Sequence, residues 1–138
     1  MIHSYASAMN ELKHKTNILT KAVEMRFQAI KHLQVMVFAE EYELRKLEEQ
    51  PFLGKKEEMR RKELEESIGL KQIEIQALAA AAKQIENHPY AQVITGRYWE
   101  GKPDEMLATE LCCDISTIRR NRKKLLSSMA MYLYDIKE

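Results

Sequence analysis

The apolar residues of this chain recur at alternating intervals of four and three along two long segments, which strongly limits the folds open to it. Such spacing keeps one side chain per turn on a single helix face and is typical of helices that pack lengthwise against each other. In the first segment the repeat passes through Tyr5, Met9, Leu12, Thr16, Leu19, Val23, Arg26, Ile30, Leu33, Val37, Glu40, Leu44 and Leu47. In the second it passes through Leu64, Ile68, Lys71, Ile75, Leu78, Ala82 and Ile85. The first repeat is imperfect at Thr16, Arg26 and Glu40, where a coiled coil would place apolar residues.

Two breaks divide the chain. Residues 51–54 (PFLG) end the first helical pattern, and residues 87–89 (NHP) end the second. A short turn between two such helices predicts an antiparallel helical hairpin over residues 1–88, followed by a second unit over 89–138. With only 4 glycines and 3 prolines and a charged fraction of 31%, the composition also favours long helices. The predicted fold class is therefore all-α.

The first helical segment carries more apolar surface than one partner helix can cover. Residues 33–39 (LQVMVFA) are apolar nearly all round the helix, and Met25 and Phe27 add to the excess. Either the C-terminal unit packs there or a second protomer does. We favour self-association, through Leu33, Val35, Met36, Val37 and Phe38.

Residues 103–126 (PDEMLATELCCDISTIRRNRKKLL) have the spacing of two short helices joined by a tight turn. The expected inward residues are Leu107, Ala108 and Leu111 in the first helix, and Ile118, Leu125 and Met129 in the second. Asp114 is expected to cap the second helix by accepting a backbone N–H bond, with Ser116 as a second candidate. Cys112 stands in the turn where glycine is common, so a left-handed backbone there would carry strain. The segment predicts a helix-turn-helix, with Tyr90, Val93, Ile94 and Tyr98 on a supporting third helix.

The second of these helices is strongly basic. Between Ile115 and Tyr134 the charged residues are five lysines and arginines, so this stretch carries +5 in a chain of net charge +1, and the remainder carries −4. A focused basic helix attracts phosphates through counterion release. The helix at about 114–126 is therefore the predicted recognition helix for the DNA major groove. The predicted DNA-binding residues are Ile115, Ser116, Arg119, Arg120, Arg122, Lys123 and Lys124. Because Asn121 stands where an apolar residue would pin the helix, Arg122 is also expected to lay its stem across the core edge.

Residues 88–126 resemble the region-four helix-turn-helix of bacterial sigma factors. They are more similar still to phage late-gene regulators of the ArpU and RinA type, which share a helical front half, an R-Y-x-x-G segment and a helix-turn-helix. The matching residues are Arg97, Tyr98, Gly101, Glu105, Leu107, Ala108, Leu111, Thr117, Ile118, Arg119 and Arg120. The resemblance implies a double-stranded DNA site, a bacterial or phage origin and activation of transcription.

Other classes of function find little support in the sequence. Cys112 and Cys113 are adjacent rather than spaced as metal ligands, the four histidines have no ligand spacing, and no phosphate-binding loop or nucleophile motif occurs. We therefore expect no enzyme activity, no cofactor and no metal. Without an apolar run long enough to span a bilayer or a signal peptide, a cytoplasmic protein is expected, without a membrane partner. The resemblance implies that the cell is a bacterial host.

The predicted function is sequence-specific binding of double-stranded DNA by a homo-dimer or higher oligomer that regulates transcription. Two alternatives stay open. One is a phage DNA-packaging or recombination accessory that marks a DNA site. The other is a coiled-coil adaptor that contacts RNA polymerase or another protein.

Overall fold

The computed structural model describes residues 2–134, with side chains from Tyr5 onward, and this range contains six helices and no strand. They are α1 (Ile2–Gln28), α2 (Ile30–Glu48), α3 (Lys55–Gln84), α4 (Gln92–Tyr98), α5 (Asp104–Glu110) and α6 (Ile115–Leu133). The all-α prediction is confirmed. The outermost residues of the two predicted units, residue 1 and residues 135–138, lie outside the described range.

The first apolar repeat forms two helices, with a turn at Ala29 between them. The Ala29 N–H bonds to the Arg26 carbonyl at 3.2 Å, as in a tighter turn, and the α-helical pattern resumes when Leu33 N–H bonds to the Ala29 carbonyl at 2.9 Å. The two halves then take different partners, because α1 packs along α6 whereas α2 packs along α3. The single continuous first helix expected from the repeat is therefore divided at this turn.

Two of the polar residues that interrupt the first repeat are matched by charges on α3. Arg26 donates to Glu74 through Nε (2.8 Å) and through a terminal nitrogen (2.5 Å). Glu40 lies 2.6 Å from the Lys71 ammonium, and the hydrogen bonds it accepts from Lys71 and Ser67 hold the pKa of its carboxyl below the ordinary value. Glu40 pairs with Lys71, and Glu43, further along α2, pairs with Arg60, which lies earlier on α3, so α2 and α3 are antiparallel.

The start of the repeat has no partner among the described residues. Tyr5, Met9 and Leu12 occupy the predicted packing face of α1, yet they are 70%, 48% and 57% exposed. The face becomes covered only further along, where Val23, Phe27 and Ile30 are fully buried. The packing predicted for the first turns of α1 is therefore not formed among the residues that the structure describes.

One hydrophobic cluster contains residues from both sides of the predicted boundary at residues 87–89. It contains Val23, Phe27 and Ile30 from the first segment, Leu78, Ala81 and Ile85 from α3, and the inner residues of α4, α5 and α6. The ring of Phe27 lies 5.4 Å from that of Tyr98 and 5.8 Å from that of Trp99. The three C-terminal helices thus share their core with α1 and α3.

The turn between α5 and α6 reverses the chain through a left-handed residue. Cys113 N–H bonds to the Ala108 carbonyl at 3.0 Å and Cys112 N–H to the Thr109 carbonyl at 3.3 Å, which is the Schellman pattern of a helix end. Cys112 has φ of +52°, as expected from its position in the sequence. Asp114 does precede the first residue of α6, but its side chain makes no capping bond. Asp114 therefore stands at the predicted capping position, but the predicted side-chain bond is wrong. The backbone of the turn sets where α6 begins.

Replacing Cys112 by glycine is expected to stabilise the protein. A side chain at positive φ costs about 1 kcal/mol, and glycine removes that cost while giving back part of it as unfolded-state entropy. We expect a gain of about 0.5–1 kcal/mol in the free energy of unfolding, measured by chemical denaturation. Cys112→Ser is the matched control, since it removes the thiol and keeps the Cβ, and it should show no gain. Equal stability of both variants and the parent would contradict the assigned strain.

Candidate nucleic-acid interface

Helix α6 has one buried and one exposed face. Its buried side chains are Ile118, Arg122, Leu125, Leu126, Met129 and Ala130. Its exposed ones in the first ten residues are Ser116, Arg119, Arg120, Lys123 and Lys124. The cationic residues therefore gather on the solvent side of the N-terminal half, whereas the C-terminal half holds the helix in the core.

Two of the predicted DNA-binding residues lie elsewhere. Ile115 is half-buried and packs against the core. Arg122 is only 8% exposed, so its place in the predicted DNA-binding surface is corrected. The sequence predicted that the Arg122 stem would lie at the core edge, because Asn121 cannot fill the apolar position there. The Asn121 amide instead donates to the Thr117 carbonyl at 2.9 Å, and Arg122 occupies the inward position.

A single buried carboxylate gathers three arginines around the start of α5. Asp104 accepts a bond from Arg97 of α4 at 3.0 Å, another from Arg122 of α6, and a longer one from Arg119 Nε at 3.4 Å. Burial alone would raise the pKa of the Asp104 carboxyl, but the hydrogen bond and charge of Arg122, with help from Arg97 and Arg119, hold it below its ordinary value. This cluster ties α4, α5 and α6 together through one side chain.

The contact with Asp104 orients Arg119 without burying it. Only Nε of Arg119 reaches the carboxylate, and the side chain stays 67% exposed. Its terminal nitrogens make no ion pair within residues 5–134. The exposed residues Arg120, Lys123 and Lys124 likewise have no acidic partner in that range. The surface thus presents four cationic groups, one of them partly fixed in direction.

Two glycines allow the helices behind this surface to approach closely. A Cβ at Gly96 of α4 would lie 2.8 Å from Leu107 Cδ2 of α5, which is closer than real side chains come. Gly101, in the loop between the two helices, has φ of +70°. In the R-Y-x-x-G segment, Gly101 therefore provides the left-handed backbone of the loop, and Arg97 donates to the buried Asp104 carboxylate.

The residues predicted for self-association divide between inside and outside. Val37 is buried at 9% exposure and Leu33 is half-buried, so neither is available as proposed, because both lie on the side of α2 that faces α3. Val35 and Phe38 are 65% and 71% exposed, and Met36 is 36% exposed. Tyr42, 53% exposed, continues the face of Val35 and Phe38 at helical spacing. Packing of the C-terminal helices does not cover this face.

Sequence reasoning missed Asp104 as the centre of the cluster. An acidic residue directly after Pro103 is a visible signal of a helix start, where negative charge is favourable. Nothing in the spacing indicates that arginines from two other helices converge on it. Their convergence depends on the packing angles of α4 and α6, which are set by the shared core.

Compared with models of known families, with curated proteins and with solved structures, the chain gives no match in any of the three. Within the described residues no helix is both long and apolar enough to cross a membrane. The same range contains no group of three or more histidine, cysteine or acidic side chains placed to hold a metal ion.

Replacing Asp104 by asparagine is expected to destabilise the protein strongly at neutral pH. Removing one partner of a buried ion pair leaves uncompensated charge and costs about 3 kcal/mol. Because the Asp104 pKa is lowered by folding, its contribution is present above pH of about 4 and is lost as the pH falls through the folded-state pKa. The variant and the parent should therefore converge in stability in acid, as measured by urea denaturation across pH.

Glu105→Gln is the matched control for this experiment. It removes an exposed carboxylate from the same helix turn and should cost less than about 1 kcal/mol. A similar small effect from Asp104→Asn would show that the cluster does not hold the three helices together.

Proposed function

We propose that the protein is a sequence-specific double-stranded DNA-binding regulator of transcription, built as a helical hairpin with a C-terminal helix-turn-helix. In this proposal α2 and α3 form the hairpin, α5 and α6 form the motif, and α6 is the recognition helix. The observation that carries the proposal is the exposed cationic face in the first half of α6. Recognition helices contact base edges mainly through their N-terminal residues, so the charge lies where docking requires it.

The rigidity of this face also supports the proposal. A base contact gains affinity when its side chains need little ordering on binding. Here the helix is held by Ile118, Leu125 and Met129 in the core, and Arg119 is already held at Nε by Asp104. Arg120 projects freely beside it. These two arginines are the proposed readers of guanine, which arginine contacts most often, whereas Lys123 and Lys124 are proposed to contact phosphates.

The setting in a phage or prophage, and the activation of late genes, rest on the resemblance to regulators of the ArpU and RinA type. Several residues of that resemblance have definite positions in this fold. Arg97 contacts Asp104, Gly101 adopts the left-handed backbone, and Leu107 and Ala108 are buried between helices. A bacterial host cell is the corresponding proposed location.

A second copy of the chain is the proposed partner of the exposed α2 face. Val35, Phe38 and Tyr42 point away from α3 and lie on one face of α2, and an exposed apolar patch of this kind marks sites of protein interaction. A two-fold dimer through this face would present two recognition helices to two half-sites. Linking the two binding events raises the overall affinity through effective concentration.

Arg120→Ala is expected to weaken binding to a selected site by about 1–3 kcal/mol, because one bidentate base contact is lost. The site is first obtained by selecting bound fragments from the source genome, and affinity is then measured by fluorescence anisotropy. Lys62→Ala, an exposed residue of α3, is the matched control and should bind like the parent. Parent-like binding by Arg120→Ala and Arg119→Ala together would exclude this docking mode. If the parent selects no fragment, the adaptor hypothesis replaces the proposal.

Val35→Glu combined with Phe38→Glu is expected to give a helical monomer, because two charges at the centre of the face cannot be buried unpaired. Light scattering of the parent at tens of micromolar should give the mass of a dimer or higher oligomer. The variant should also bind a two-half-site DNA more weakly. Phe52→Glu serves as the control, since Phe52 is 82% exposed in the turn between α2 and α3. A monomeric parent would remove the dimer from the proposal.

A further inference from the structure

A polar cleft of about 410 Å³ opens between α1 and α6, beside the cationic face of α6. Its charged and amide-bearing lining residues are Asn17, Lys21, Glu24, Arg119, Arg122 and Lys123. The sequence patterns assign no binding role to the residues from α1. The cleft therefore joins a helix of the first segment to the proposed recognition helix.

The cleft keeps an excess of positive charge. Of its four cationic side chains, Arg122 is already matched by the buried Asp104 carboxylate. Its one acidic residue, Glu24, lies 3.4 Å from Lys21. Such a pair is weak because the Lys21 side chain is 72% exposed. Lys21, Arg119 and Lys123 therefore remain able to bind an anion.

The two helices run in the same direction past the cleft. The Arg26 guanidinium lies 5.5 Å from the centre of the Tyr134 ring, near the end of α6. About one and a half to two and a half turns earlier on α1, Lys21 and Asn17 line the cleft together with Arg119 and Lys123. The polar turns of α1 are thus level with the cationic N-terminal half of α6.

In the proposed docking, α6 would occupy the major groove, which is about 12 Å wide, and packed helices lie about 8–10 Å apart. The cleft joins the cationic side of α6 to α1, so α1 would lie at the edge of that groove, next to the sugar-phosphate backbone. The cleft between the two helices then opens toward that backbone.

We propose that the α1–α6 cleft binds a backbone phosphate of the DNA duplex, with Lys21 as a ligand contributed from outside the helix-turn-helix. Arg119 and Lys123 contribute from the other wall, and the Asn17 amide is a neutral donor. This inference rests on the proposed DNA-binding function. It adds α1 as a second element that positions α6 on the duplex, since phosphate contacts set register without reading sequence.

The test measures binding to a random-sequence duplex of about 30 base pairs over a range of salt, by fluorescence anisotropy. Lys21→Gln should reduce the slope of log affinity against log salt by about one, and should lower affinity about three- to tenfold at about 0.1 M salt. Lys15→Gln is the matched control. It removes the same charge from the same helix, but it lies on the other side from Asn17 because two residues span more than half a turn.

Glu24→Gln provides a variant of opposite sign. It removes the acidic residue of the cleft and frees Lys21, so affinity for the same duplex should rise. A variant that simply unfolded could not produce this gain. Thermal melting by circular dichroism establishes that all three variants are folded.

The outcomes separate the inference from the function on which it rests. A loss with Lys21→Gln, a gain with Glu24→Gln and no change with Lys15→Gln support the phosphate site. Equal losses with Lys21→Gln and Lys15→Gln overturn it in favour of diffuse attraction. Unchanged binding by Lys21→Gln, when Arg120→Ala reduces binding, overturns the site and leaves the proposed function standing. Absence of duplex binding by the parent overturns both.

Discussion

The buried Asp104 carboxylate is the interaction on which the C-terminal surface depends. A carboxylate taken out of water needs charged partners, and this one has Arg97 and Arg122 at close range and Arg119 at its edge. Each of the three helices α4, α5 and α6 contributes at least one member. Apolar packing alone is tolerant of small shifts in angle between helices, whereas a carboxylate shared by several guanidinium groups restricts them. The same carboxylate accepts a bond from Nε of Arg119, whose side chain remains exposed on the cationic face.

The long N-terminal helices act as part of this unit. Phe27 of α1 packs against the rings of Tyr98 and Trp99, and Leu78 of α3 and Ile85, directly after α3, enter the same core. Helices α4 and α5 are each 7 residues long, which is too short for stability in isolation. Because α1 and α3 supply the surface on which the short helices fold, the orientation of α6 relative to α2 is built into the core. Any dimer formed through α2 would therefore hold its two α6 helices, the proposed recognition helices, at a defined separation.

Much of the helical content and of the C-terminal inner face could be predicted from periodicity. Leu107, Ala108, Ile118, Leu125 and Met129 are all buried as their spacing predicts. The strain at Cys112 was also predictable, since the turn needs a left-handed residue and no glycine is present. These features depend on local geometry, in which each residue constrains its own turn of helix.

The features that escaped prediction depend on which helices meet. The spacing predicts the Arg122 stem at the core edge, but only the approach of Asp104 from α5 allows its guanidinium to be buried as well. Val37 belongs to an apolar run with Val35, yet opposite sides of one helix send the first inward and the second to solvent. Likewise, Lys21 lines a cationic cleft only because the chain turns at Ala29, so that α1 packs along α6 while α2 packs along α3. The turn at Ala29 has no glycine or proline to mark it.

The distribution of charge follows from the same arrangement. The α6 region, from Ile115 to Tyr134, carries +5, the segment from Glu100 to Asp114 just before it carries −4, and the other residues are together neutral. A uniformly basic protein would meet a polyanion in many orientations. In the proposed docking, the exposed cations of α6 and of the adjoining cleft would attract the duplex, whereas the hairpin would do so little, because α2 carries a net charge of −1 and α3 one of +1. The proposed docking would therefore use the side on which Arg119 is already positioned, and it would leave the exposed apolar face of α2 to the proposed second copy of the chain.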